Sequence, residues 1–202
     1  MIESDKERQA PKTLDEAEPT HLARYTFALE FIEEDDVVLD TPCGSGYGSL
    51  LLTEKSKKVY GIDIFPPAID HANELFSCDN NCFFVCDMQD MEMFKDEYFD
   101  VVISFEGIEH VKDPNKFLKE VKRILKPEGR LIISTPRKPH GSPYHIIEFS
   151  LDEFKKILSK HFKIDSMYGQ IYTDIFDLET RDVNPDSYPH FNFISVCSQK
   201  QI

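Results

Sequence analysis

The chain has 202 residues, 41% of them hydrophobic, with 37 acidic against 23 basic side chains and a net charge of −14. That length and apolar content suit one α/β domain with a full core and exclude a disordered chain. The charge argues against nucleic acid and against anionic membranes as partners, since both select basic surfaces.

Residues 1–19 are polar, too charged for a signal peptide, and read as a flexible N-terminal arm. Residues 20–202 read as a single domain with no repeat and no apolar run long enough to span a bilayer. The expected location is the cytoplasm, where the five cysteines stay reduced. Cys78, Cys82 and Cys86 lack zinc-site spacing and read as a turn followed by one strand face.

From Thr20, the residues Leu22, Tyr25, Leu29 and Ile32 lie on one helical stripe. Strands and helices then alternate. "VVLDT" (37–41) reads as a strand, and "YGSLLLTEK" as the helix after a glycine loop. "KVYGID" (58–63) is a strand, and "PPAIDHANELF" a helix with prolines in its first turn. "CFFVCD" (82–87) and "FDVVISF" (99–105) are strands. "DPNKFLKEVKRIL" is a helix with Asp113 at its N-cap, and "RLIISTP" (130–136) is the fifth strand. Ser150 stands three residues before Glu153, a capping-box pattern that starts the next helix. "FKIDSM" and "FNFISVC" are the last strands, and residues 168–190 between them read as a long loop, a lid or binding loop. Strands apolar on both faces, alternating with helices, predict a doubly wound, mainly parallel sheet ending in an antiparallel pair.

In such a sheet, ligands sit at the carboxyl ends of the strands. The first strand ends in Asp40 and the Gly44–Gly46–Gly48 turn, the second in Asp63, the third in Asp87. An acid ending the second strand suits a ribose diol. The G-x-G-x-x-G dinucleotide pattern needs glycine where Ser49 stands, and Asp40 would repel a pyrophosphate. A nucleoside with a cationic end fits better than a nicotinamide dinucleotide: Asp40 balances the cationic end and Asp87 accepts from an adenine amine.

The stretches "VLDTPCGSGYG", "VYGID", "CDM", "FDVVISFEGIEHV" and "FLKEVKRILKPEGRLIISTP" resemble the class I S-adenosylmethionine-dependent methyltransferases over most of the chain. The resemblance implies a Rossmann-like sheet of seven strands with the last antiparallel, and S-adenosyl-L-methionine as cofactor. It carries Asp40, Thr41, Cys43, Gly44, Ser45 and Gly46 to the methionine end of that cofactor. It also carries Asp63 and Ile64 to the ribose and adenine rim, Asp87 and Met88 to adenine, and Phe105 to the floor near the sulfonium. Pro42 departs from the family, which most often has glycine there. "HLARYTFA" resembles the first helix of a glycan-associated group, with His21, Arg24 and Tyr25 closing over the cofactor carboxylate or the acceptor; the other reading packs Tyr25 on the sheet and leaves Arg24 solvated.

Methyl transfer to a hydroxyl needs alignment, exclusion of water and removal of a proton. The candidates are Glu106, Glu109, His110, His140, His145 and Glu148. In one reading Glu106, Glu109, His110 and His145 hold a divalent ion, magnesium or manganese. In another His110 or His145 is a general base without metal, and Glu106 assists. In a third, these residues only tie loops down. The E-x-x-E-H and H-x-x-E-F pattern resembles metal-dependent small-RNA 2′-O-methyltransferases, ubiquinone-pathway O-methyltransferases and methyltransferases found with glycan genes. The expected activity is O-methylation of a small-molecule acceptor, a sugar or phenolic hydroxyl. RNA 2′-O-methylation and a non-catalytic partner subunit are the alternatives. Nothing in the pattern chooses between a monomer and a homodimer.

Overall fold

The structure, a computed structural model, describes residues 8–200. In chain order it forms α1 (Pro19–Ala28), β1 (Val37–Asp40), α2 (Tyr47–Leu52), β2 (Lys58–Asp63), α3 (Pro66–Leu75), β3 (Asn81–Val85) and β4 (Phe99–Phe105). It continues with α4 (Pro114–Ile124), β5 (Leu125–Pro136), α5 (Leu151–His161), β6 (Phe162–Ile171), β7 (Asp174–Asp177) and β8 (Phe191–Gln199). Among the described residues the strands make one eight-stranded sheet in the order β3-β2-β1-β4-β5-β8-β6-β7. The strands from β3 to β5 are parallel; β8 is antiparallel to β5 and β6, and β7 is antiparallel to β6. The mainly parallel, doubly wound sheet with an antiparallel last strand is therefore present, with one strand more than the seven expected.

The sheet is buried on both faces because its strands alternate between two apolar layers. Leu131 and Ile133 of β5 join the layer under α4 and α5, with Phe117, Val121, Phe154 and Leu158. Ile132, between them, joins the other layer, with Ala28, Leu52, Ile69 and Ala72 from α1, α2 and α3. The helix starts follow the sequence signals. Asp113 accepts from Asn115 N at 3.0 Å and Lys116 N at 3.1 Å, with Pro114 opening α4. Ser150 Oγ accepts from Glu153 N at 3.3 Å while Glu153 Oε2 accepts from Ser150 N at 2.9 Å, closing the capping box of α5.

The region 168–190 departs from the expected loop. β6 runs on to Ile171, and a tight turn returns the chain as β7 along the sheet edge. Such turns are announced by glycine or asparagine, which tolerate positive φ. Here Tyr172 adopts φ 54° instead, so the usual signal is missing. Only residues 178–190 remain irregular, with a short 3-10 turn at Pro185–Ser187.

The N-terminal arm is placed from residue 8 onward, and its first seven residues lie outside the described residues. The placed part lies on the body: His71 Nε2 donates to Pro11 O at 2.8 Å, and Ala17 is buried. Among the described residues no helix is long and apolar enough to cross a membrane. All five cysteines are free thiols.

Candidate active site

The chain order turns back at β1, with β2 and β3 on one side and β4 and β5 on the other. A cavity of about 820 Å³ opens at the carboxyl ends of these strands, where the fold class places ligands. Thr41, Cys43, Gly44, Ser45, Asp63, Ile64, Asp87, Met88, Phe105 and Tyr25 all line it, as do Glu106, Glu109, His110 and His145.

The β1–β3 side is built on backbone amides. Asp63 Oδ2 accepts from Gly44 N at 3.1 Å, and its Oδ1 accepts from Phe65 N at 2.8 Å. Arg8 Nη2 stands 3.5 Å from the same Oδ1. Asp87 Oδ1 accepts from Gln89 N at 2.8 Å. Ile64 is 63% exposed at the rim. Burial pushes the Cys43 thiol up, so Cys43 is a neutral wall residue rather than a nucleophile. The side-chain oxygens of Thr41 and Ser45 are buried without a hydrogen-bond partner.

Two residues expected at the ligand lie behind the wall. Asp40 is fully buried and is not among the lining residues. It accepts from Ser49 Oγ at 2.6 Å and from Tyr25 OH at 3.2 Å. Burial pushes its carboxyl up to about 7, against the opposing pull of the Ser49 and Tyr25 hydrogen bonds. Asp40 therefore meets the cavity only by way of Tyr25, which lines the cavity and whose ring meets that of Phe105 edge-on at 5.1 Å. Gly46, at φ 90°, is set back against Ala72; a Cβ there would lie 2.5 Å from the alanine methyl. Gly48 makes room for Tyr25, because a Cβ would stand 2.0 Å from the tyrosine ring.

The β4–β5 side is built on side chains. Glu109, on the 3-10 turn Ile108–His110, accepts from Thr135 Oγ1 at 3.1 Å through Oε2. Its Oε1 is buried with no hydrogen-bond partner. Burial, reinforced by the Glu106 charge, pushes its carboxyl up to about 8. The loop after β5 is tied to this turn: Ile146 N and Ile147 N donate to Glu109 O at 2.9 and 3.1 Å. That brings His145 to His110, with ring centroids 5.0 Å apart, and His140 stacks on His145 at 4.6 Å. Ligand atoms of Glu109, His110 and His145 lie within 4.8 Å of one another. The stranded oxygen of Glu109 and the two imidazoles fit a divalent cation, and equally fit a proton acceptor.

Glu106, expected with these three, points elsewhere. Its Oε2 lies 3.0 Å from Arg24 Nη2 and 3.1 Å from His21 Nε2, both on α1. Burial pushes the Glu106 carboxyl up, but Arg24 and His21 outweigh it and hold the group well below the usual carboxylate range. The metal quartet is thus corrected to a trio, because an ion pair with α1 takes the fourth carboxylate. Arg24 is buried, not solvated: it is 1% exposed, and its Nη1 donates to Gln170 Oε1 at 2.7 Å. Gln170 Nε2 in turn donates to Thr20 O at 2.7 Å and Tyr172 O at 2.6 Å. Asn192, with its amide turned so that oxygen meets Arg24 Nη1 at 3.3 Å and nitrogen meets Glu106 Oε1 at 3.2 Å, completes the network. The sequence reading missed Gln170 and Asn192; they sit on β6 and β8 as polar residues in strands whose pairing was not visible.

Similarities to known proteins agree with this geometry. The methyltransferase domain family matches residues 39–133. A Mycobacterium tuberculosis protein named as an S-adenosylmethionine-dependent methyltransferase is 29% identical over 129 residues, covering 60% of this chain and 46% of that protein. The ubiquinone biosynthesis O-methyltransferase of Coxiella burnetii is 34% identical over 125 residues, covering 58% and 52%. The chain thus spans about half the length of the curated relatives it matches. Among solved structures, a complex of the Haloferax volcanii Trm112 methyltransferase activator with a methyltransferase gives a TM-score of 0.73 at 21% identity, covering 90% of this chain and 91% of that one.

Proposed function

We propose that the chain, which matches the methyltransferase domain family over residues 39–133, is a class I S-adenosylmethionine-dependent methyltransferase that methylates a hydroxyl oxygen of a small acceptor, a phenol or sugar, at this cavity. The supporting observation is that, among the described residues, three of the four side-chain oxygens buried without a hydrogen-bond partner, those of Thr41, Ser45 and Glu109, belong to residues lining this cavity; the fourth, Ser104 Oγ, lies away from it. Polar atoms buried without partners are costly unless a ligand satisfies them. S-adenosylmethionine supplies a methyl group on a sulfonium that is already a good leaving group.

Asp63, fixed by two backbone amides, takes the ribose diol, and Asp87 with Met88 takes the adenine. Thr41 and Ser45 face the methionine end. Tyr25 and Phe105 form the apolar wall at the methyl group and exclude water. Glu109 in its ionised form can receive the acceptor's proton, assisted by His110 or His145; because its carboxyl is pushed up to about 8, that form gains weight as pH rises. Should a magnesium or manganese ion be bound, Glu109, His110 and His145 would hold it, and it would lower the pKa of the acceptor hydroxyl. The ubiquinone-pathway relative is named an O-methyltransferase, which favours an oxygen acceptor over nitrogen or carbon. The charge of −14 weighs against an RNA acceptor.

The test is calorimetric binding of S-adenosylmethionine, followed by transfer of a labelled methyl group to a panel of catechols, phenols and sugars, with and without EDTA. Cofactor binding and a product methylated on oxygen are expected. Absence of binding overturns the reading, and binding without transfer to any class of acceptor points to a non-catalytic subunit.

A further inference from the structure

The turn after β6 is where the chain departs furthest from what its residues prefer. Ile171 pairs with Asp174, which leaves Tyr172 and Thr173 as a two-residue turn. Glycine or asparagine takes a positive φ in such a turn at little cost, whereas the ring-bearing Tyr172 at φ 54° is strained. Burial of the ring could offset that strain, yet Tyr172 is 66% exposed. Its backbone is nevertheless held. Tyr172 O accepts from Gln170 Nε2 at 2.6 Å, and the buried Gln170 amide is itself tied to Thr20 O and to Arg24. A strained residue that its surroundings fix in place, and that gains little within the fold, points to a role with a ligand. β5 and β6 are both antiparallel to β8, so Tyr172 emerges at the same end of the sheet as the carboxyl end of β5. There it lines the cavity, several strands away from Asp63 and Asp87. A second exposed tyrosine lines the cavity from the loop after β5. This is Tyr144, 50% exposed, whose carbonyl accepts from His110 Nδ1 at 3.2 Å.

We propose that Tyr172, together with Tyr144, is the platform that recognises the methyl acceptor, and that the acceptor is a planar aromatic, a phenol or catechol, rather than a sugar. This rests on the methyltransferase reading above and narrows its substrate class. The face of a tyrosine ring gains contact with another flat ring without needing a hydrogen bond. A sugar carries hydroxyls around its whole ring, and each one that leaves water needs a new partner. On the β4–β5 side the partnerless carboxylate oxygen among the described residues is Glu109 Oε1. A phenol or catechol matches that supply, because its hydroxyls lie at one edge. That edge can turn toward Glu109 while the ring face stays on tyrosine. The strand β7 has a place in the same scheme: its pairing with β6 closes the turn that presents Tyr172. Glycine at this turn would relieve the backbone and remove the platform.

The experiment is an NMR titration of the full chain, saturated with S-adenosylhomocysteine, with two probes. Catechol is one; cis-1,2-cyclohexanediol, which keeps the hydroxyl pair but lacks the aromatic plane, is the other. Catechol should bind about tenfold more tightly than the diol, the upper scale for an aromatic contact. Tyr172→Leu should weaken catechol by about fivefold and leave the diol unchanged, and Tyr172→Phe should keep the catechol affinity of the wild type. Tyr172→Gly should weaken catechol as the leucine variant does, yet melt at a higher temperature than the wild type, because glycine suits the positive φ. Equal affinity for the two probes, unchanged catechol binding in Tyr172→Leu, loss of it in Tyr172→Phe, or a lower melting temperature in Tyr172→Gly overturns the platform. Catechol that does not bind the S-adenosylhomocysteine complex overturns the aromatic acceptor and leaves the methyltransferase reading standing. Failure of S-adenosylhomocysteine to bind overturns that reading, and the platform with it.

Discussion

Asp63 and Asp87, on the β1–β3 side of the cavity, are held by backbone amides, whereas Glu106 and Glu109, on the β4–β5 side, are held by other side chains. The first arrangement fixes a charged carboxylate in one place, since the amides that donate to it are part of the loop itself. It suits recognition of neutral hydroxyl and amine groups that do not change during a reaction. The second arrangement leaves each carboxylate with partners it can exchange, and it spreads their proton affinities far apart. Glu109 is pushed up to about 8 while Glu106, close by, is held well below the usual range. Carboxylates with such divergent environments take different chemical roles. The proposed division of labour between binding and chemistry thus has a structural counterpart, and it can be broken one side at a time.

The largest expected effect is on the β4–β5 side. Glu109→Gln keeps the hydrogen bond from Thr135 but removes both the proton acceptor and the anionic ligand. Transfer should fall by about 10²–10⁴-fold, the range for a positioned acid–base group, while calorimetric affinity for S-adenosylhomocysteine stays near that of the wild type. A Glu109→Gln protein that turns over normally, or that loses the cofactor instead, would place the chemistry elsewhere and erase the contrast.

The same contrast explains what could be seen in the sequence. The acids at the ends of β2 and β3 were legible because their partners are near in the chain: Phe65 and Gln89 are each two residues from the acid they serve. The caps at Asp113 and Ser150 were legible for the same reason. The setting of Glu106 was not, because it depends on Arg24, and Arg24 depends on Gln170, 146 residues further on. That dependence exists only once β6, β8 and α1 have been brought together. The edge strand β7 was hidden by a turn built on Tyr172 rather than on glycine. Asp40 shows the converse failure: its place at the strand end was read correctly, yet the tyrosine between it and the cavity comes from α1, which no local pattern connects to β1.

A smaller effect is expected on the β1–β3 side. Asp63→Ala removes the acceptor for the ribose hydroxyls and frees the amides of Gly44 and Phe65. Cofactor affinity should weaken by about 1–3 kcal/mol, the scale for hydrogen bonds to a charged group, with kcat at saturating cofactor much less affected. Measuring kcat and KM separately checks this. A loss confined to kcat would mean that the two sides are not divided as their hydrogen bonding suggests.

The smallest effect sharpens the comparison at its centre, where Asp40 lies beneath the two sides. An unfolded aspartate titrates near 3.9, whereas burial raises Asp40 to about 7 in the folded chain. Between those values the folded state keeps a proton that the unfolded state has released. Stability from this group is therefore fully present below the unfolded value and is lost as pH rises toward 7, because the slope of unfolding free energy with pH is negative wherever the folded state binds more protons. Asp40→Asn cannot titrate, so it should lack that loss. Denaturation midpoints measured at pH 5 and pH 8 should show the wild type falling further than the variant, with the gap between the two curves narrowing as pH rises. Parallel curves would mean that Ser49 and Tyr25 hold Asp40 ionised throughout. Asp40 would then belong with Asp63 and Asp87, as a fixed charge.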